Sequence, residues 1–270
     1  MYVEYFMVPS MKLWIVGMFC CTMCVSCQQQ TKNEPGNYTQ NPTISSTSGE
    51  SKDSLAYYFP TTIRKDTQTV KLDIDPHSLD LFSFGLHYAK EPILYNYYLG
   101  HDIYRFSLLR SFYAPIYFIL HKDGDKVWLT TKALDRSPNL TLPPKKFVGD
   151  WKTGDWVQEM KDEYGDTIIK NAKGSYSRRA NVSYNKTIQL TQQEWTEFEK
   201  LLTASDFWNM EPFDTEDHMD SERWLIEAHT KNKYWFVHLF GPKGGFQIAG
   251  NYLIQKSGIT NEPIYTQKKK

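Results

Sequence analysis

Beyond position 27 the sequence has no cysteine: all four, Cys20, Cys21, Cys24 and Cys27, lie near the N-terminus. The rest of the chain therefore holds neither a disulfide nor a thiolate metal site, which suits an oxidising compartment where stray thiols would mispair. Charge of one sign is also lacking. Lys+Arg and Asp+Glu balance at 31 each, and the only basic run is Lys268-Lys269-Lys270 at the end. Nothing here attracts a polyanion, and no nucleic-acid partner is expected. No apolar stretch reaches the roughly 18 residues that a spanning helix needs. There is no G-x-S-x-G, P-loop, Rossmann glycine pattern or H-E-x-x-H, so the enzyme classes that those motifs mark are not indicated and no cofactor is implied. An active site assembled from distant residues stays open, and the enzyme reading leans to no.

What the sequence does have begins with an address. Met11-Lys12 precedes the apolar run Leu13 to Cys21, of signal-peptide length. Met11 makes a better start than Met1, because residues 1–10 add Glu4 and no positive charge. The run ends at Cys24-Val25-Ser26-Cys27, small residues and then a cysteine where apolar sequence gives way to polar. This resembles a bacterial lipobox, which implies cleavage before Cys27 and acylation of its thiol, with palmitate among the chains. Leu is usual where Cys24 stands. Acyl chains hold to a bilayer at about 0.8 kcal/mol per buried CH₂. The expected organisation is a signal peptide over 1–27, a disordered polar tether over 28–54, and a single α+β domain over 55–270.

Within that domain, Ile116–His121 and Lys126–Thr131 flank Asp123-Gly124, a strong hairpin signal. Ile116, Phe118, Leu120, Val127 and Leu129 share its core face, while Tyr117, Ile119 and Trp128 share the other, which is therefore covered at least in part. Thr191 and Glu194 form a capping box opening a helix with the stripe Trp195, Phe198, Leu201 and Leu202. A second hairpin, 224–229 with 234–240, turns at Lys231-Asn232. A helix over 245–257 follows, with Phe246, Ala249, Tyr252 and Leu253 inward and Gly258 as its stop. Residues 72–88 alternate loosely between apolar and polar, 95–112 fit strand or helix, and 135–174 are weakly patterned, with Trp151, Trp156 and Met160 lining a short helix or covering an edge. The fold expected is an antiparallel sheet built from hairpins with two or three helices packed on it.

The stretches 104–112, 195–208, 224–227 and 246–258 together resemble uncharacterised exported lipoproteins of Bacteroidota-type bacteria, over roughly residues 70–260. The resemblance implies a cell-envelope location and no known activity.

Three constellations could carry chemistry. If the Lys231-Asn232 turn has an even count, Glu227 and His238 become diagonal neighbours on one sheet face, a carboxylate placed to tune a general base, or else a satisfied structural pair. Asp214, Asp217 and Asp220, between helix and hairpin, could offer oxygens to a cation, though a solvated acidic loop is the commoner case. Arg105 could contact an anion, and Trp151 and Trp156 could form a stacking platform for sugars. The whole reads as a membrane-anchored envelope lipoprotein held at Cys27, its domain a non-catalytic interaction module for a protein or glycan. The alternatives are an envelope hydrolase using Glu227 and His238, and a structural or inhibitor-like domain acting through loop 213–221.

Overall fold

The computed structural model describes residues 38–53, 56–63, 69–74, 76–110, 113–138, 180–213 and 222–259, with the backbone alone of 64–65, 68, 147–150, 155–161, 167–171 and 176–178. The chain divides into two compact units, 1–33 and 34–270, and everything described lies in the second. In chain order the elements are β1 (Thr62–Lys65), β2 (Gln68–Lys71), α1 (Pro76–Tyr88), β3 (Asp102–Leu109), β4 (Ile116–Asp123), β5 (Lys126–Leu134) and β6 (Phe147–Asp150). There follow β7 (Asp155–Lys161), β8 (Thr167–Asn171), β9 (Tyr176–Arg178), β10 (Val182–Leu190), α2 (Gln192–Ala204), β11 (Arg223–Thr230), β12 (Lys233–Phe240) and α3 (Gly244–Ser257). The main sheet has the order β10-β5-β4-β3-β11-β12; β1-β2 and β6-β7-β8-β9 form separate sheets, and every pairing is antiparallel. The fold is α+β, as expected from sequence, with three α-helices among the described residues where two or three were expected.

The second hairpin forms in the expected register, while the first turns at Gly124-Asp125, one residue beyond the expected Asp123-Gly124, a shift that keeps every side chain on its expected face. Asp123 pairs with Lys126 across Gly124, which takes φ +55°. Thr230 pairs with Lys233, so Glu227 stands opposite Phe236 and Leu225 opposite His238. Period-2 alternation then sorts the sheet's side chains onto two faces. One face carries Phe106, Phe118, Leu120, Leu129, Ile226 and Val237 against Trp195, Phe198 and Leu202 of α2 and Phe246, Ala249 and Leu253 of α3. The Thr191–Glu194 capping box is formed, and Gly258 ends α3 in the left-handed conformation. Gly250 of α3 lies where any Cβ would enter the Trp224 ring, so its lack of a side chain lets helix and sheet touch.

The opposite face is also buried. Ile103, Tyr117, Ile119, Leu225 and Phe236 meet Leu79, Phe82 and Leu86 of α1. Residues 72–88 thus contain a helix opening at Pro76, whose fixed φ suits a first turn. Its core stretch, Leu79-Asp80-Leu81-Phe82-Ser83-Phe84-Gly85-Leu86, alternates nearly as well as it follows a helical period, and tertiary packing decides between the two. Gly85 is required here too, because a Cβ would collide with the Tyr117 hydroxyl.

Two expectations change. Residues 38–53, read as tether, are folded against the domain. Gln40 N–H donates to Asn96 O at 2.8 Å, and Ile93 N–H donates to Gly49 O at 2.8 Å. The buried Asn96 side chain accepts from Asn41 N–H at 2.7 Å and donates to Asn41 O at 2.7 Å and to Ser45 Oγ at 2.8 Å. This strap has few apolar side chains, but its polar groups find exact partners in the 89–96 loop, and hydrogen bonding replaces the burial it lacks. Second, Trp156 and Met160 lie on strand β7 and not on a helix; Trp151 is outside the described residues.

Strand β12 would leave an open edge, but His238 N–H donates to Pro212 O at 2.9 Å, and Phe213 bridges to His238, so the chain after α2 covers that edge.

Candidate functional site: a buried ion network and the cleft above it

Arg105 lies in the middle strand region of the sheet, on the α1 face, and is fully buried. A guanidinium cannot lose its proton to escape that environment, so it needs partners. Glu227 stands directly opposite on β11. Arg105 Nε donates to Glu227 Oε2 at 2.9 Å, and its terminal nitrogen Nη2 makes a second, shorter contact with the same oxygen. Nη1 donates to Pro92 O at 2.7 Å and lies 3.7 Å from Glu91 Oε2. Tyr234 Oη donates to Glu227 Oε1 at 2.8 Å, filling the other carboxylate oxygen. Lys132, on the same face of β5, pairs with Glu91 Oε1 at 2.7 Å and donates to Ala89 O at 3.1 Å. Two cations and two carboxylates thus balance, with Arg105, Glu227 and Glu91 buried and Lys132 half-buried at the margin. Burial pushes the Glu227 carboxyl up from its ordinary range, against the pull of Arg105 and the Tyr234 hydrogen bond.

Above this network the structure opens into a cleft of about 880 Å³, within the usual range of small-molecule sites, about 300–1,000 Å³. Ser48, Glu50 and Ser51 of the strap form one wall. His87, Tyr88, Lys90, Glu91 and Pro92, at the end of α1 and beyond, form another. Ala180, Asn181 and Val182 at the start of β10 close the third side, with the buried Tyr58 deeper in. Burial pushes the Tyr58 phenol up to about 12, so it stays protonated and can donate. Glu91 belongs both to the cleft and to the ion network, and the strap wall is held where Gly49, at φ +81°, abuts Pro92, whose Cβ would lie 2.6 Å from an added Cβ.

The sequence-derived candidates fall as follows. Glu227 and His238 share a face, as the register required, but both are wholly buried. Both carboxylate oxygens of Glu227 have donors in Arg105 and Tyr234, and His238 sits among the rings of Phe82, Phe213 and Phe240. Groups without solvent exposure reach no substrate, so this pair reads as structure. Arg105 is consumed by the same network and offers nothing to an external anion. Asp214, Asp217, Asp220, Cys27 and Trp151 lie outside the described residues, as does the Trp156 side chain. Among the described residues no group of three or more His, Cys, Asp or Glu could hold a metal ion. No aromatic platform appears among them either: the exposed large apolar residues are Val70, Tyr113 and Ile248, one per segment. No described helix is long and apolar enough to cross a membrane.

Glu91, Lys132 and Tyr58 were not singled out in the sequence. Lys132 carried a usable signal. It follows Trp128 and Thr130 on the hairpin face that Tyr117 and Ile119 mark as covered, and a cation on a covered face needs a buried partner. Compared with known proteins, the chain matches no family model, no curated protein and no solved structure.

Two outcomes follow for stability. Arg105→Met and Glu227→Leu should each cost about 3–5 kcal/mol by leaving an uncompensated buried charge, whereas the double variant should cost clearly less than the sum. Urea denaturation of the four proteins measures this, and additive costs would show that the pair is not coupled. The second outcome concerns acid. Burial lowers His229, whose ring packs on Tyr38 and Tyr98, to about 4, and lowers His121, stacked on Trp128, to about 3. Both fold as neutral rings, so the unfolded chain binds the extra protons. The stabilisation is complete above pH about 6.5 and is lost as pH falls toward 4, at about 1.4 kcal/mol per unit for each group. Urea midpoints between pH 7 and 4.5 should fall, and His229→Gln should flatten the slope; an unchanged slope would contradict the assignment.

Proposed function

We propose that this chain is an exported cell-envelope protein, lipid-anchored at Cys27, whose domain binds a protein or glycan without catalysing a reaction. The anchor rests on the signal-like run and the lipobox-like Cys24-Val25-Ser26-Cys27, and the envelope location also on the resemblance to exported lipoproteins. The cleft bounded by the strap, the end of α1 and the start of β10 carries the binding reading. It is concave, lined by both polar and ring side chains, and framed by backbone that the buried ion network holds in place, which are the attributes of a ligand site. The proposed contact surface is thus this cleft and not an exposed aromatic face. The hydrolase alternative needs Glu227 and His238 in a cleft, and both lie in the core.

The test uses the full chain in its own envelope, extracted in detergent after cross-linking. Wild-type protein should partition with membranes, and Cys27→Ser should move to the soluble fraction. Ser48→Trp places an indole at the cleft wall from an exposed position. It should leave the melting transition in place and reduce capture of the retained ligand by about tenfold or more. Equal capture by Ser48→Trp would refute the cleft, and membrane retention of Cys27→Ser would refute the anchor.

A further inference from the structure

We propose that the end of the main sheet carrying the β4–β5 and β11–β12 turns rests on the bilayer, so that the domain touches lipid headgroups through its own side chains. This rests on the reading of Cys27 as acylated and names the surface that the anchor brings to the membrane. The folded strap sets the reach. Tyr38 Oη donates to Lys231 O at 3.3 Å, and its ring packs on His229 with centroids 4.7 Å apart. The chain therefore joins the domain beside the β11–β12 turn, and only residues 28–37 separate it there from the anchor. The eleven peptide steps from Cys27 to Tyr38 span about 40 Å at most. A compact domain of this size is roughly 44 Å across. The end that holds Tyr38 thus cannot be the one farthest from the bilayer.

Side-chain chemistry favours the same end. The sheet register brings both turns together there, since Asp102 of β3 pairs with Lys122 of β4 while Ile103 pairs with His229 of β11. Tyr38, Tyr98, Trp128 and Trp208 are half-buried around it. Tyr98 meets the His229 ring at 5.5 Å, Trp128 stacks on His121 at 4.9 Å, and Lys233 Nζ stands 3.5 Å from the centre of the Trp208 ring. Rings with an apolar body and a polar tip suit the headgroup layer, which is wet on one side and apolar on the other.

Charge agrees with this. Lys122, Lys126, Lys231 and Lys233 surround the two turns, against Asp102, Asp123 and Asp125. Asp102 is already engaged, because its Oδ1 accepts from Tyr98 Oη at 3.1 Å and from Lys231 N–H at 2.9 Å. Lysine stems can lie along apolar surface while their ammonium groups reach lipid phosphates. The orientation also spares the cleft. Val182, on its β10 wall, pairs with Leu134 at the other end of the sheet, away from lipid.

The experiment maps which end meets lipid. No cysteine follows Cys27, and acylation blocks the Cys27 thiol, so one introduced cysteine is the only labelling site in the processed chain. Asn232→Cys lies in the β11–β12 turn and Lys243→Cys just past the far end of β12, both at exposed positions. Each variant is isolated from the envelope, labelled with a nitrobenzoxadiazole maleimide and added to vesicles of phosphatidylethanolamine and phosphatidylglycerol. A lipid with a nitroxide on its headgroup should quench the label at 232 about threefold or more over that at 243, with the melting transition retained in both. Equal quenching of the two labels, or none of either, on protein that floats with the vesicles overturns the docked end and leaves the anchor standing. Wild-type chain that stays out of the vesicle fraction and takes up the maleimide at Cys27 removes the anchor and the docked end together.

Discussion

A fully buried guanidinium in the sheet is the constraint on which this fold turns. Arg105 brings a permanent positive charge and five donors into a core made largely of Phe, Tyr and Leu. One carboxylate, Glu227, faces it from the adjacent strand, and the remaining donors reach out of the sheet to Pro92 O and toward Glu91. The network therefore does more than balance charge. It fixes the irregular 89–96 segment, which has no strand or helix of its own, onto the sheet. Removing one member leaves the others unpaired in a medium of low polarity, and so the network acts as a unit.

The strap depends on that segment in turn. Asn96, Ile93 and Pro92 hold residues 40–49, and they do so only while 89–96 keeps its shape. One wall of the cleft is strap and another is the 87–92 segment, with Glu91 common to the cleft and the ion network. A chain of polar contacts thus runs from the centre of the sheet to a concave surface. The face carrying α2 and α3 has no part in it; that face is apolar packing of ordinary kind, and the two faces share the hydrophobic core about equally.

Local chemistry was legible in the sequence where it was self-contained. The Lys-Asn turn, the Thr191–Glu194 capping box and the Gly258 stop each involve residues a few positions apart, and each was readable in place; the first hairpin was readable with its faces, though its turn falls at Gly124-Asp125. Helix α1 was ambiguous because its apolar residues satisfy two periods, and the packing of Tyr117 against Gly85 decides for helix. The strap was misread as tether because composition measures apolar burial, whereas this segment is held by hydrogen bonds to one buried asparagine. The Glu227–His238 face was correctly placed, yet its role was not, because the partner that decides it, Arg105, lies 122 residues away on a strand whose pairing no local pattern reveals. The cleft was invisible for the same reason: its three walls come from positions near 50, 90 and 180.

The most direct test of this account is amide hydrogen exchange in Lys132→Met, which removes one partner of Glu91 and touches neither the strap nor the helices of the other face. If the ion network holds the 89–96 segment and through it the strap, protection of the Ile93 and Gln40 amides should drop by about tenfold or more, while that of Phe198 in α2 should hold. Unchanged protection at Ile93 and Gln40 would contradict the account and leave the strap and the cleft independent of the buried charges.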